Sequence, residues 1–192
     1  MNIQGIVSLC LFALLIVLVL IRMTMLRKRG IRIIVFGQTD KSDFLLMPPV
    51  FAIVYTAAAN TFALPMWSVL ICPFWSSMIP GWVGLLLCAA AVCGFAVTLA
   101  GFGDSFRVGI DESKPAELIT SGMFSISRNP IYVCLLLFLS GFFLIHCNIV
   151  IAVAVLLFVL AIHRQILREE EFLLSHYGAE YQEYCGKVRR YL

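Results

Sequence analysis

Charge is what this sequence lacks. Of its 192 residues only 13% are Asp, Glu, Lys or Arg, against about 25% in a soluble domain. No charged residue occurs before Arg22, none between Asp43 and Asp104, and none between Arg128 and Arg164. The deficit excludes a water-soluble globular domain, and the length leaves no room for a large domain outside the membrane. Other absences close further classes. The seven cysteines form no Cys-x-x-Cys pair and most lie inside apolar runs. They read as small packing residues, not as a zinc site or a disulfide framework, and no metal is expected. No internal repeat is visible, which argues against a transporter built from repeated halves. Arg27, Lys28, Arg29 and Arg32 have no aromatic residues interleaved among them. They therefore mark topology and contact with anionic membrane lipids, and no nucleic acid is expected as a partner.

What is present is apolar sequence in lengths that fit a bilayer. A spanning helix needs about 20 mostly apolar residues, so the three charge-free runs read as one span, two spans and two spans. The expected fold is an all-α integral membrane protein with about five transmembrane helices, a helical hairpin and a cytoplasmic C-terminal helix. All 14 Lys and Arg and all 11 Asp and Glu then fall on one face. The positive-inside rule makes that face cytoplasmic, with the N-terminus outside and the C-terminus, with any chemistry that needs charge, inside. Positive charge follows the first apolar run and does not precede it, so that run is expected to stay in place and not to be cleaved as a signal peptide.

The first helix is expected over about Ile3–Met23, followed by a basic linker, and residues 1–45 form the first unit. The remaining unit, 46–192, holds helices two to five. Helix two starts near Pro48-Pro49, acceptable in a first turn, and runs to about Leu64. Trp67, Trp75 and Trp82 suit the outer interface. Helix three, about Gly81–Ala100, is rich in Gly and Ala and so is expected to pack closely. An inner loop spans 101–129. The 34 residues from Pro130 to His163 form a tight hairpin broken at His146-Cys147-Asn148. Its return helix runs on past Arg164 to Tyr177, with Gly178 as the cap, and the C-terminal helical region covers 164–192.

Three segments converge on the inner face. One is Gly103-Asp104-Ser105-Phe106-Arg107-Val108-Gly109. The second runs from Leu118 through Gly122 to Arg128-Asn129-Pro130-Ile131-Tyr132. The third is Arg168-Glu169-Glu170-Glu171, then Gly178 with Tyr181 and Tyr184 three and six residues later. The order Arg-Asn-Pro-x-Tyr, helical hairpin, Glu pair and Gly-x-x-Tyr-x-x-Tyr resembles the isoprenylcysteine carboxyl methyltransferase family, which groups with phospholipid N-methyltransferases. The resemblance covers roughly Gly101 to Tyr191. Asn129 stands where that family usually has His; it keeps a donor and an acceptor but cannot titrate.

The resemblance implies an S-adenosylmethionine-dependent methyltransferase with a lipid-like or prenylated acceptor, and carboxyl O-methylation of isoprenylcysteine as its reaction. That cofactor needs a carboxylate for its diol or ammonium, for which Glu169 and Glu170 are the candidates. Its own carboxylate needs donors, offered by Asn129 and backbone N–H groups near Gly122. Its adenine needs an apolar slot, offered by Leu118, Ile119, Ile131 and Tyr132, and Pro130 beside them is a further cofactor-binding candidate. Arg164 or Arg168, with Arg107 behind them, is expected to orient the acceptor carboxylate. On a helix Ile166, Glu170, Leu173, Leu174 and Tyr177 share one face, so Glu170 interrupts an apolar stripe, and a buried carboxylate needs a partner such as a cationic cofactor. Glu171 faces away.

Each residue also has a plainer reading. Glu169–Glu171 suit a solvated turn, Arg128 a headgroup anchor and Tyr132 an interfacial belt. His146 reads as structural, His163 and His176 as packing or capping, and Tyr181 and Tyr184 as docking the terminal helix. The rival functions are phospholipid N-methylation, an NADPH-dependent sterol-type reductase and a non-catalytic membrane protein.

Topology is directly testable. In a Cys-free background, cysteine at Ser76 or Asn148 is expected to react with an impermeant thiol reagent added outside, while cysteine at Ser113 or Ser175 is not. Outside labelling of Ser113 alone would invert the arrangement.

Overall fold

The computed structural model describes residues 2–28, 46–102 and 118–192. Among them the chain is all helical: α1 (Ile3–Lys28), α2 (Met47–Phe62), α3 (Ser68–Ile71), α4 (Ile79–Gly101), α5 (Pro130–Ile145), α6 (Ile149–Tyr177) and α7 (Ala179–Lys187), with a 3₁₀ turn at Gly122–Ser125. Three helices are long and apolar enough to cross a membrane: α1, α4 and α6, of 26, 23 and 29 residues. At 1.5 Å per residue they measure about 39, 35 and 44 Å, against a hydrocarbon core of about 30 Å. The other two of the five expected spans, α2 and α5, have 16 residues each, about 24 Å. They are shorter than a full crossing.

Proline sets where the helices begin. It occupies the first turn of α2, α4 and α5, where its missing N–H costs no intrahelical bond. Helix α1 runs about one turn beyond the expected end, because Met25, Leu26, Arg27 and Lys28 are good helix formers that continue it. The four-residue α3 has no counterpart in the sequence reading, since one turn carries no periodic signal. The α5–α6 break falls at His146–Asn148 as expected. Asn148, however, is fully buried; its Oδ1 caps α6 by accepting from Ile151 N at 3.0 Å.

The core is the crossing of α4 and α5, with α1 laid against both. Gly84 and Gly141 face each other across it and bring the two backbones together. Cys88, Ala91 and Phe95 meet Phe138 and Phe142 there, and Phe12 of α1 sits 6.1 and 6.3 Å from the latter two rings. Helix α2 packs on α6. Of the seven cysteines, Cys88, Cys134 and Cys147 are buried packing residues, while Cys10, Cys72 and Cys93 lie on exposed faces.

The end of the bundle at the α5–α6 turn is closed by polar bonds. Ser8 Oγ donates to Gly5 O at 2.8 Å, so His146 must carry its proton on Nε2 to donate to the same hydroxyl at 2.9 Å. This buried imidazole is structural. Phe74 N donates to Cys147 O at 2.7 Å, and Trp75 meets Phe143 edge-on at 5.7 Å.

The glycine crossing yields a stability test. A Cβ at Gly141 would lie 2.5 Å from Gly84 O and 2.9 Å from Cys88 Sγ. Gly141→Ala is expected to destabilise the bundle by about 1–3 kcal/mol through overpacking. Gly101→Ala meets open space and serves as the control. Thermal unfolding in detergent reads the difference; equal midpoints for the two variants would refute the close crossing.

Candidate functional site

At the opposite end from His146 the chain must turn from the loop before α5 into that helix. Ser127 is buried, and its Oγ accepts from Asn129 N at 3.1 Å. Asn129 takes an extended φ of −127° as the residue before Pro130, which proline demands of its predecessor. Upstream, Gly122 holds a left-handed φ of 63° and opens the 3₁₀ turn. That turn is clamped from two sides. Phe102, just past α4, meets Phe124 edge-on at 4.8 Å, and Tyr184 of α7 donates from its hydroxyl to Phe124 O at 2.6 Å.

Helix α6 brings its acids to this corner. Ile166 is fully buried, and Glu170, one turn on, is only 12% exposed; Glu171 is exposed. Glu170 accepts on both oxygens. Arg128 Nη2 lies 3.1 Å from Oε1 and Asn129 Nδ2 donates to the same oxygen at 3.2 Å. Arg190 meets Oε2 with Nε and Nη2, each at 2.8 Å. Glu169 Oε1 accepts from the Tyr132 hydroxyl at 2.6 Å and from Gln165 Nε2 at 3.0 Å. The Arg-Asn-Pro-x-Tyr motif and the Glu pair, far apart in sequence, are thus bonded to each other residue by residue.

The segment after α7 completes the corner. Val188 is extended. Arg189 O accepts from Arg128 N at 3.0 Å, and Arg190 O accepts from Ser127 Oγ and Asn129 Nδ2, both at 3.2 Å. Tyr191 Oη lies 2.6 Å from His163 Nδ1. Burial shapes the chemistry here. It pushes the Tyr184 phenol up to about 12. It also pushes the Tyr181 phenol up, with the Glu170 charge adding to the effect, so both rings are neutral donors near pH 7. The hydrogen bond to Glu170 holds the Arg190 guanidinium even more firmly protonated. Two buried donors, Arg128 Nε and the Tyr181 hydroxyl, have no hydrogen-bond partner among the described residues.

The expected residues therefore divide. Asn129, Tyr132, Glu169 and Glu170 come together, with Pro130 buried beneath them. Leu118 and Ile119 are half-buried on the approach to the 3₁₀ turn, and Gly122 is exposed. Arg164 is exposed and Arg168 half-buried on the same helix as the acids. Arg107 lies outside the described residues. Arg128 is no headgroup anchor but a buried partner of Glu170. The partner of that carboxylate, expected to be a cationic cofactor, is supplied by the chain itself. Arg190 was missed altogether. The signal that pointed to it was the acid in an apolar stripe, which demanded a cation, and the basic Arg189-Arg190 pair beyond Tyr184.

Comparison with known proteins bears on the same region. The nickel-cobalt-cadmium resistance protein NccN of Alcaligenes xylosoxydans xylosoxydans is 28% identical over 108 residues, 56% of this chain and 50% of that protein. The chain thus spans half the length of that relative. An uncharacterized protein of Haemophilus influenzae is 44% identical over 62 residues, 32% of this chain and 98% of that protein. The phospholipid methyltransferase family model matches residues 79–180, more than half of the chain. That stretch carries both the Arg-Asn-Pro-x-Tyr corner and the acids bonded to it, and the chain belongs to the phospholipid methyltransferase family.

Proposed function

We propose that this protein is an integral membrane, S-adenosylmethionine-dependent methyltransferase acting on a lipid-like acceptor from the cytoplasmic face. The observation that carries the reading is the bonding of Asn129 and Tyr132 to the Glu170–Glu169 pair inside the region matched by the family. The residues fit the cofactor's parts. The buried unpartnered donors Arg128 Nε and Tyr181 Oη suit its carboxylate, one acid of the Glu169–Glu170 pair suits its diol or ammonium, and Leu118, Ile119, Pro130 and Tyr132 suit its adenine beside the Gly122 turn. When bound, S-adenosylmethionine would supply an electrophilic methyl group for the acceptor's lone pair.

The chain's own residues contribute position and desolvation. Tyr132 and Gln165 fix the Glu169 carboxylate, and Arg164 and Arg168, on the charged end of α6, orient an anionic acceptor group. We infer the α-carboxylate of a prenylated cysteine as acceptor, because a carboxylate presents its lone pair without losing a proton. A phospholipid amine is the second reading, favoured by the family's description; it must first be deprotonated. The acceptor reaches the site laterally from the bilayer, and the metal-resistance role in the name of NccN is not carried over.

Two experiments test this. Calorimetric titration of S-adenosylhomocysteine into the purified protein is expected to show binding, and NADPH none. Glu169→Gln is expected to weaken that binding about 10- to 100-fold at an unchanged melting point, since the amide oxygen still accepts from Tyr132. No binding to the wild-type protein refutes the cofactor assignment.

In the second experiment, transfer of a labelled methyl group is expected to favour long prenyl chains over short ones, by apolar burial of about 0.8 kcal/mol per CH₂. Equal turnover of an unprenylated cysteine analogue counts against the lipid-like acceptor, and turnover confined to phosphatidylethanolamine selects the amine reading.

A further inference from the structure

Arg190 lies beyond the family-matched residues 79–180, yet both its side chain and its carbonyl bond to the corner. Its guanidinium takes Glu170 Oε2 through two nitrogens at 2.8 Å, and its carbonyl takes Asn129 Nδ2 and Ser127 Oγ at 3.2 Å. A ribose diol is a neutral donor pair. It does not outcompete a two-pronged guanidinium for a carboxylate, because charge-assisted bidentate bonds are roughly twice as strong as neutral ones. With both oxygens engaged by four donor contacts, Glu170 has no capacity left for a ligand.

Asn129 shows what the pair accomplishes. Its two amide hydrogens go to two acceptors on different segments, Glu170 Oε1 and Arg190 O. An amide whose nitrogen is held by two acceptors cannot flip. Its Oδ1 is then a fixed acceptor, and no described residue donates to it. An unanchored Asn presents nitrogen or oxygen with comparable ease.

We propose that Glu170 and Arg190 are positioning residues. Together they lock the carboxamide of Asn129 so that its Oδ1 faces the cofactor as an acceptor, and Glu169 is the acid that touches the cofactor. This rests on the cofactor reading above and divides the work within the acid pair. It also makes the segment Val188–Tyr191 a structural part of the site, joined to the corner by the Arg128 N to Arg189 O bond as well.

The test is a double-mutant cycle on S-adenosylhomocysteine binding, with melting points recorded in parallel. Arg190→Gln and Asn129→Ala are each expected to weaken binding about tenfold. The double variant is expected to lose no more than either alone, because Arg190 acts through Asn129. Arg190→Lys, which restores the charge on Glu170, is expected to recover part of the loss. In turnover the Arg190→Gln defect is expected in the KM for S-adenosylmethionine and not in kcat.

A purely structural role predicts lowered melting points with unchanged affinity of the folded protein, and that result overturns the proposal. So does additive loss in the double variant. Tighter binding by Arg190→Gln overturns it as well, since it would make Arg190 a competitor of the cofactor. Absence of binding in the wild-type protein instead refutes the cofactor reading itself.

Discussion

A carboxylate nearly nine-tenths buried at the end of a membrane bundle must have its charge answered within hydrogen-bonding distance, and the arrangement around Glu170 follows from that demand. Three pieces of chain come together to meet it: the Arg128-Asn129 corner ahead of α5, the charged end of α6, and the extended residues after α7. Desolvation offsets much of the Coulombic gain of such a buried pair, so its worth is geometric. Removing the carboxylate, by contrast, strands the buried Arg128 guanidinium and costs about 3–5 kcal/mol. The cluster therefore tolerates little variation, and it orients every neighbour that donates to it.

The membrane imposes the complementary constraint. With lipid on the outside, apolar side chains gain little by turning inward, and close packing of small residues holds the helices together. Gly84 and Gly141 supply this between α4 and α5. The polar closures lie at the two ends of the bundle. At one end Ser8, His146 and Asn148 bond across the α5–α6 turn and its neighbours. At the other, Tyr184, Glu169 and Glu170 gather the loops. The long faces of α1 and α6 between them remain exposed and apolar.

Some elements could be read directly. The Pro starts of α2 and α5 and the His146–Asn148 break are local events, each written within a few consecutive residues. The Gly178 cap, at a left-handed φ of 52°, is another. The exposure of Glu171 and burial of Ile166 follow from helical periodicity. Errors arose where a local rule had two outcomes. A lone Arg at a membrane edge fits a snorkelling anchor as well as a buried partner, and Arg128 proved to be the latter. The expected end of α1 at Met23 falls short of Lys28, because Met25, Leu26, Arg27 and Lys28 all continue a helix readily. Asn148 in a turn looked accessible, yet capping α6 draws it fully inside.

The class of the protein, its long apolar runs and the residue types from which a site can be built were legible in the linear sequence. These depend on composition and on periodicity within single segments, which survive in a linear string. Which base answers which acid was decided only by the tertiary structure. Arg128 and Arg190 reach Glu170 from either side in the chain, and Asn129 is held between Glu170 and the backbone of residue 190. Pairings across space between distant segments carry no periodic signature. They come into being only when the α4–α5 crossing, the length of α6 and the turn at Gly178 bring those segments within 3 Å or so of one another, the reach of a hydrogen bond.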